Sequence, residues 1–166
     1  MIVVHHLNDS RSQRILWLLE ELKLPYEIKS YQRDATTRLA PPELKAVHPL
    51  GKSPVVTEGA ATVIESGAII DYILRHHGAG KLAPAVGTPE YDTYQQWLHY
   101  AEGSAMLPLM LFMYVGRLGE AGAPLRPRIE SEIANHLGYV EGVLEGRDYL
   151  MGPELSAADI QMSFVG

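Results

Sequence analysis

Residues 51–74 read GKSPVVTEGAATVIESGAIIDYIL, and they set a rigid turn, a hairpin and a helix start in one short stretch. Pro54 precedes Val55 and Val56, so it stands where a strand ladder begins. That place suits a proline at a turn or at the first strand residue, and it leaves room for a cis bond. Thr57 ends the apolar run, Glu58-Gly59 is a hairpin signal, and Thr62 to Ile64 alternates as the returning strand. Glu65-Ser66 closes that strand and opens a helix. Ser66 is a good N-cap residue, and Ile69, Ile70, Ile73 and Leu74 repeat behind it at helical spacing. The pattern predicts a fixed carboxylate beside the electropositive end of a helix. An extended ligand suits such a frame: its backbone lies along the edge at Ser53, its carboxylate meets the free amides at Ser66 and its ammonium meets Glu65.

Upstream, Ile2 to Leu7 is an apolar, β-branched run that reads as a buried strand, ended by Asn8, Asp9 and Ser10. Ile15, Leu18, Leu19 and Leu22 follow the i, i+3, i+4, i+7 pattern of an amphipathic helix, with Arg14, Glu20, Glu21 and Lys23 off the stripe. Leu24-Pro25 stops it, and Tyr26 to Tyr31 alternates as a second strand, so the pair is expected to be parallel. Pro41-Pro42 starts a short helix that His48-Pro49 ends. The predicted order is β-α-β-α-β-β-α.

Downstream, His77-Gly78 closes the helix, and residues 79–89 have the Ala, Gly and Pro content of a linker. A helical domain is expected over 90–166. Tyr91, Tyr94, Leu98, Ala101 and Ala105 form one stripe, and Ile129, Ile133, Leu137, Val140 and Leu144 form another after a Gly- and Pro-rich loop at 116–127. MLPLMLFMYV (106–115) is too short to span a bilayer and reads as a buried helix. LSAADIQMSFV (155–165) carries a capping box, Ser156 to Asp159, flanked by Leu155 and Ile160.

The chain has 166 residues, 46% of them hydrophobic, and a formal net charge of −6. That charge, without clustered Lys and Arg, argues against a phosphate-backbone partner, so no nucleic acid is expected. MIVVHHLND has no basic n-region, and no signal peptide is visible. There is no cysteine, which fits a reducing compartment and leaves any thiol chemistry to a ligand. His5 and His6 point to opposite faces of a strand and His76 and His77 are adjacent on a helix, so neither pair chelates and no metal is expected.

HPLGKSP, the Glu65-Ser66 pair and SRSQR at residues 10–14 together resemble the glutathione-binding half of the cytosolic glutathione S-transferase family. The resemblance implies a thioredoxin-like α/β domain over 1–78 and an all-α domain over 90–166. It covers nearly all of this chain but part of a typical member, whose further helices follow the capping box, so the natural product is expected to be longer or the missing part to be unordered. It implies glutathione as co-substrate and an apolar electrophile, with peroxide reduction as a side activity. It also implies a role in detoxification as a cytoplasmic homodimer with no membrane partner. In the family the residue before the cis-proline, here Ser53, pairs by its backbone with the cysteinyl unit. The pair matching Glu65 and Ser66 holds the γ-glutamyl end, and Lys52 lies near the glycyl carboxylate.

Serine-type members place their catalytic serine at the position of Ser10, with an arginine like Arg14 one turn on. Such a serine donates to the thiolate and does not itself attack. By itself Ser10 also reads as a plain cap of the first helix, and Ser12 and Asn8 are rivals for the role. The family's electrophile pocket draws on the helix that holds Met106, Met110 and Tyr114, whose simplest other reading is core packing. Two further readings stand beside this one: a binding or interaction module that has the fold without turnover, and a serine hydrolase, which lacks a G-x-S-x-G elbow.

Overall fold

Strand β1 (Ile2–Leu7) pairs in parallel with β2 (Tyr26–Tyr31), from Ile2 against Tyr26 to Leu7 against Tyr31. On its other edge it pairs antiparallel with β3 (Val55–Glu58), which in turn pairs antiparallel with β4 (Ala61–Ile64), giving the order β2-β1-β3-β4. A parallel pair needs a crossover, and α1 (Ser12–Leu22) supplies it. A two-residue turn joins β3 to β4, and its Gly59 takes the left-handed φ of 56° that such hairpins require. α2 (Glu43–Val47) and α3 (Ser66–His77) complete the thioredoxin-like layout expected from the sequence. Val4, Ile15, Leu18, Leu19, Val56, Ile69, Ile70 and Ile73 lose all exposure between sheet and helices. Burying each such side chain contributes about 1.5–3 kcal/mol. Leu7, Tyr31 and Leu44 form a second cluster, with Ala40 and Val47 packed on it.

This computed structural model describes residues 1–165, and they divide into two units, one over Met1–Leu82 and one from Ala83 onward.

Three local expectations for the first unit are corrected. Arg14 is not off the apolar stripe of α1: it is 1% exposed, one turn before Leu18 on the buried face. Ser66 is not the N-cap of α3 but its first helical residue. Glu65 holds the cap position with φ 66° and ψ 119°, and its side chain makes no cap bond. Ser10 is not at the cap position of α1 either, which Arg11 occupies without a side-chain cap bond, but the Ser10 hydroxyl does accept from the Ser12 amide at 3.4 Å.

Glu58 at the tip of β3 accepts from the Tyr72 hydroxyl at 3.0 Å and from His77 Nε2 at 2.9 Å, so the hairpin is bolted to the far half of α3. The His77 bond, with help from Tyr72, holds the Glu58 carboxyl below its usual range. His5, 6% exposed, lies between the Tyr31 hydroxyl (2.9 Å from Nδ1) and Thr57 Oγ1 (3.2 Å from Nε2). Burial and then the charge of Lys29 push its pKa down.

In the second unit, α4 (Pro89–Tyr100) starts at a Thr88 cap whose hydroxyl accepts from the Tyr91 amide, with Pro89 in the first turn. A π turn (Ala101–Ala105) follows, in which the Met106 amide reaches the Ala101 carbonyl, and α5 (Met106–Gly116) runs on from it. The turn lies just before Pro108, whose ring cannot give the Ser104 carbonyl its helical donor. α5 is not the buried helix expected: Leu107, Leu111, Phe112, Met113 and Tyr114 are all exposed. The loop expected at 116–127 holds a 3-10 segment (Gly119–Leu125) and the start of α6 (Arg126–Leu144). Of the α6 stripe only Ile129 is buried, and Leu137 is exposed. Trp97 stacks on Tyr139, with the Tyr100 ring edge-on to both and its hydroxyl 2.6 Å from His136 Nδ1. α7 (Ala157–Met162) has the predicted capping box, and Asp159 also accepts from the Leu150 amide. Among the described residues no helix is long and apolar enough to cross a membrane.

Candidate active site

The first turn of the site is made where β1 ends. Asp9 takes a left-handed φ of 49°, which swings the chain from β1 into α1 and leaves Ser10 buried at the junction. Ser10 Oγ donates to the Leu7 carbonyl at 2.7 Å and lies 2.7 Å from Ser12 Oγ and 3.4 Å from Ser53 Oγ. Ser12, without exposure, lies 2.8 Å from Nδ1 of the half-buried His6. Ser12, one of the two rivals, is thus hydrogen-bonded to Ser10. The other rival, Asn8, has its carboxamide oxygen on the Arg33 amide at 2.7 Å and its nitrogen on Asp9.

Ser53 precedes a cis peptide bond to Pro54. The ladder between β1 and β3 begins only at Val55, opposite His5. Beyond it the Ser53 hydroxyl takes the strand's place, donating to the His5 carbonyl at 2.8 Å and accepting from the Leu7 amide at 3.3 Å. Among the described residues the Ser53 amide and carbonyl have no hydrogen-bond partner. The result is a short strand edge beside Ser10. Lys52, next to it, is exposed.

At the start of α3, Glu65 is exposed and Ser66 is 3% exposed. The Glu65 carbonyl accepts from the Ile69 amide, so the amides of Ser66, Gly67 and Ala68 form the open first turn of the helix. Arg14 Nη1 donates to Ser66 Oγ at 3.1 Å. The guanidinium therefore stands behind the Ser66 hydroxyl, whose own hydrogen stays available for an anion. Sequence reasoning missed this pair. The signal was the i, i+4 relation of Arg14 to Leu18, which puts a charge on the apolar face. It also missed His6, whose place on β1 opposite to His5 turns it toward Ser12.

Met106, Met110 and Tyr114 lie one turn apart on α5, buried, half-buried and exposed in that order. Among the described residues no group of three or more His, Asp or Glu side chains is gathered as a metal site would need.

Residues 1–75 match the family model described as the N-terminal domain of glutathione S-transferase. Glutathione S-transferase 3 of Schizosaccharomyces pombe is 36% identical over 99% of this chain and 72% of its own length. The chain belongs to the glutathione S-transferase family. Its activity class is that of a glutathione transferase. The transferase superposes on a solved glutathione S-transferase from Actinobacillus pleuropneumoniae with a TM-score of 0.89 and 37% identity, covering 99% of this chain and 76% of that one. It also matches a family member from Pseudomonas fluorescens, solved with two glutathione bound, at a TM-score of 0.80 and 28% identity over 99% of this chain and 74% of the other.

Proposed function

We propose that this transferase binds glutathione along the Ser53 edge and at the α3 start, and conjugates its thiolate to an apolar electrophile. The observation that carries the reading is the unpaired backbone of Ser53 within one hydroxyl contact, 3.4 Å, of Ser10. The cysteinyl unit adds to that edge as a strand would. The γ-glutamyl carboxylate meets the open amides of α3 and the Ser66 hydroxyl, its ammonium meets Glu65, and Lys52 faces the glycyl carboxylate. The glutathione held by the Pseudomonas fluorescens relative supports the choice of ligand.

A free cysteine thiol has a pKa near ~8.5 and the thiolate is the nucleophile. One hydrogen bond to a charged acceptor is worth roughly 1.5–3 kcal/mol, so a Ser10 donor lowers that pKa by about one to two units. The thiol proton leaves to solvent. The sulfur forms a bond to the electrophilic carbon, and the leaving group departs with the bonding pair. With a peroxide, the thiolate instead breaks the O–O bond, and a second glutathione completes a disulfide while alcohol and water form. The protein works in detoxification as a cytoplasmic homodimer. The apolar side chains exposed on α5 support the dimer, whose mass light scattering will give.

A second reading, a glutathione-binding module without turnover, is favoured by one observation: the Ser10 hydrogen is already on the Leu7 carbonyl. Calorimetric titration with glutathione, followed by a panel of electrophiles on the same sample, separates the two. Binding with conjugation supports the enzyme, binding alone supports the module, and no binding removes both.

A further inference from the structure

The hydroxyls around Ser10 form a chain that single hydrogens fill in one direction as long as the Leu7 and His5 carbonyls keep their short donors. Ser53 Oγ donates to the His5 carbonyl, and Ser10 Oγ donates to the Leu7 carbonyl. A serine hydroxyl carries one hydrogen. Neither residue has another for the contacts around Ser10, so the hydrogen in the 2.7 Å contact between Ser10 and Ser12 comes from Ser12. Ser12 then has none left for His6. The 2.8 Å contact to His6 Nδ1 takes its hydrogen from the imidazole. The order is His6 Nδ1–H to Ser12, Ser12 to Ser10, and Ser10 to Leu7.

The opposite tautomer reverses the chain. Ser12 would turn its hydrogen to His6, Ser10 would turn its own to Ser12, and the Leu7 carbonyl would lose its 2.7 Å donor. Ser10 would then face a bound sulfur with a lone pair where a donor is needed.

We propose that His6 is a positioning residue for thiol activation. Its Nδ1 hydrogen fixes the direction of the chain, so the Ser10 hydrogen is the one left to swing from the Leu7 carbonyl to a bound thiolate. The inference rests on Ser10 being the thiol donor. Each donor in such a chain also polarises the next, by an amount on the order of 10–30% of a bond. Applied to a hydrogen bond to a charged acceptor, this gives a thiolate fraction up to about fivefold larger with the chain in order.

The test uses the full chain with His6→Leu, His6→Asn and His6→Gln, with Ser10→Ala in parallel. An Asn amide nitrogen stands about where Nδ1 does and donates, whereas the Gln amide reaches toward the Nε2 place. The readouts are glutathione affinity by calorimetry and the pKa of the bound thiol by thiolate absorbance. His6→Leu and His6→Gln are expected to raise that pKa, with a thiolate fraction at neutral pH smaller by up to about fivefold, at little change in affinity. His6→Asn is expected to match the parent. Should His6→Leu not fold, the contrast between Asn and Gln decides. If the His6 variants leave the pKa in place while Ser10→Ala raises it, His6 has no part and Ser10 stands. If Asn and Gln shift it equally, the direction of the chain does not matter and the proposal is overturned. If Ser10→Ala has no effect, the serine reading itself falls, and this inference with it.

Discussion

Arg14 Nη1 donates to Ser66 Oγ at 3.1 Å, and both residues are buried. A charge on α1 is thereby given an acceptor by the first residue of α3, the helix whose open amides face the proposed γ-glutamyl carboxylate. Ser66→Ala takes one acceptor from a buried guanidinium. A hydrogen bond to a charged group contributes roughly 1.5–3 kcal/mol, and a loss of that size lowers Tm by several degrees in a protein of this length. Thermal and urea unfolding check it, and a change within error would show that the pair does not stabilise the fold. Glutathione affinity is expected to fall in the same variant.

Glu65 combines an exposed carboxylate with a positive φ of 66°, a conformation that costs a residue with a side chain about 1–3 kcal/mol. Glu65→Gly is therefore expected to raise stability by about 1 kcal/mol and to weaken glutathione binding. Glu65→Gln keeps the shape and removes the charge, so its affinity falls about fivefold, as for an exposed ion pair of ~1 kcal/mol, with little change in unfolding. Calorimetric titration of both variants gives the answer. Unchanged affinity would take Glu65 out of the site.

Ser10→Ala is expected to raise the bound thiol's pKa by about one to two units and to move the rate profile to higher pH. Asn8→Ala breaks the bond to the Arg33 amide and lowers stability, but leaves that pKa alone. Ser12→Ala, which the sequence offers as an equivalent control, is not one, because Ser12 is hydrogen-bonded to Ser10. A pKa that rises only in Asn8→Ala would move the donor role to Asn8.

His5 predicts an acid limb in stability. Burial and Lys29 lower its pKa in the folded chain, so as pH falls past its usual value of about 6.5 the unfolded chain takes up the proton first. Stability is lost from there down to the folded pKa. His5→Gln removes that titration, and its stability is expected to fall less between neutral pH and the carboxylate range. Urea unfolding at a series of pH values checks it. Parallel curves for the two proteins would show that His5 does not titrate on unfolding.

The thioredoxin-like half was legible because its signals are local. Alternation, a Gly59 hairpin and a crossover helix each name an element without reference to the rest of the chain. The capping box at Ser156 and Asp159 is of the same kind. What failed was inference from apolar content to burial. Leu107, Leu111 and Phe112 are as apolar as any core residue, yet they lie exposed, because hydropathy does not say which face has a neighbour. Arg14 failed in the opposite sense: charge is read as surface, and an acceptor 52 positions away helps make its burial tolerable. The hydroxyl chain of His6, Ser12 and Ser10 needs β1, α1 and the Ser53 turn in register, and no spacing along the sequence encodes it.

The Glu58 contacts with Tyr72 and His77 also have a consequence for amide exchange. Lifting the β3–β4 hairpin from α3 breaks two bonds to one carboxylate at once, so neither element frays alone. Slow-exchanging amides of Val56, Val63 and Ile73 are then expected to report one shared opening energy, as residues of a single cooperative unit do. Below the carboxylate range, where Glu58 takes up a proton, the bolt weakens and that common energy drops while the amides of α1 keep theirs.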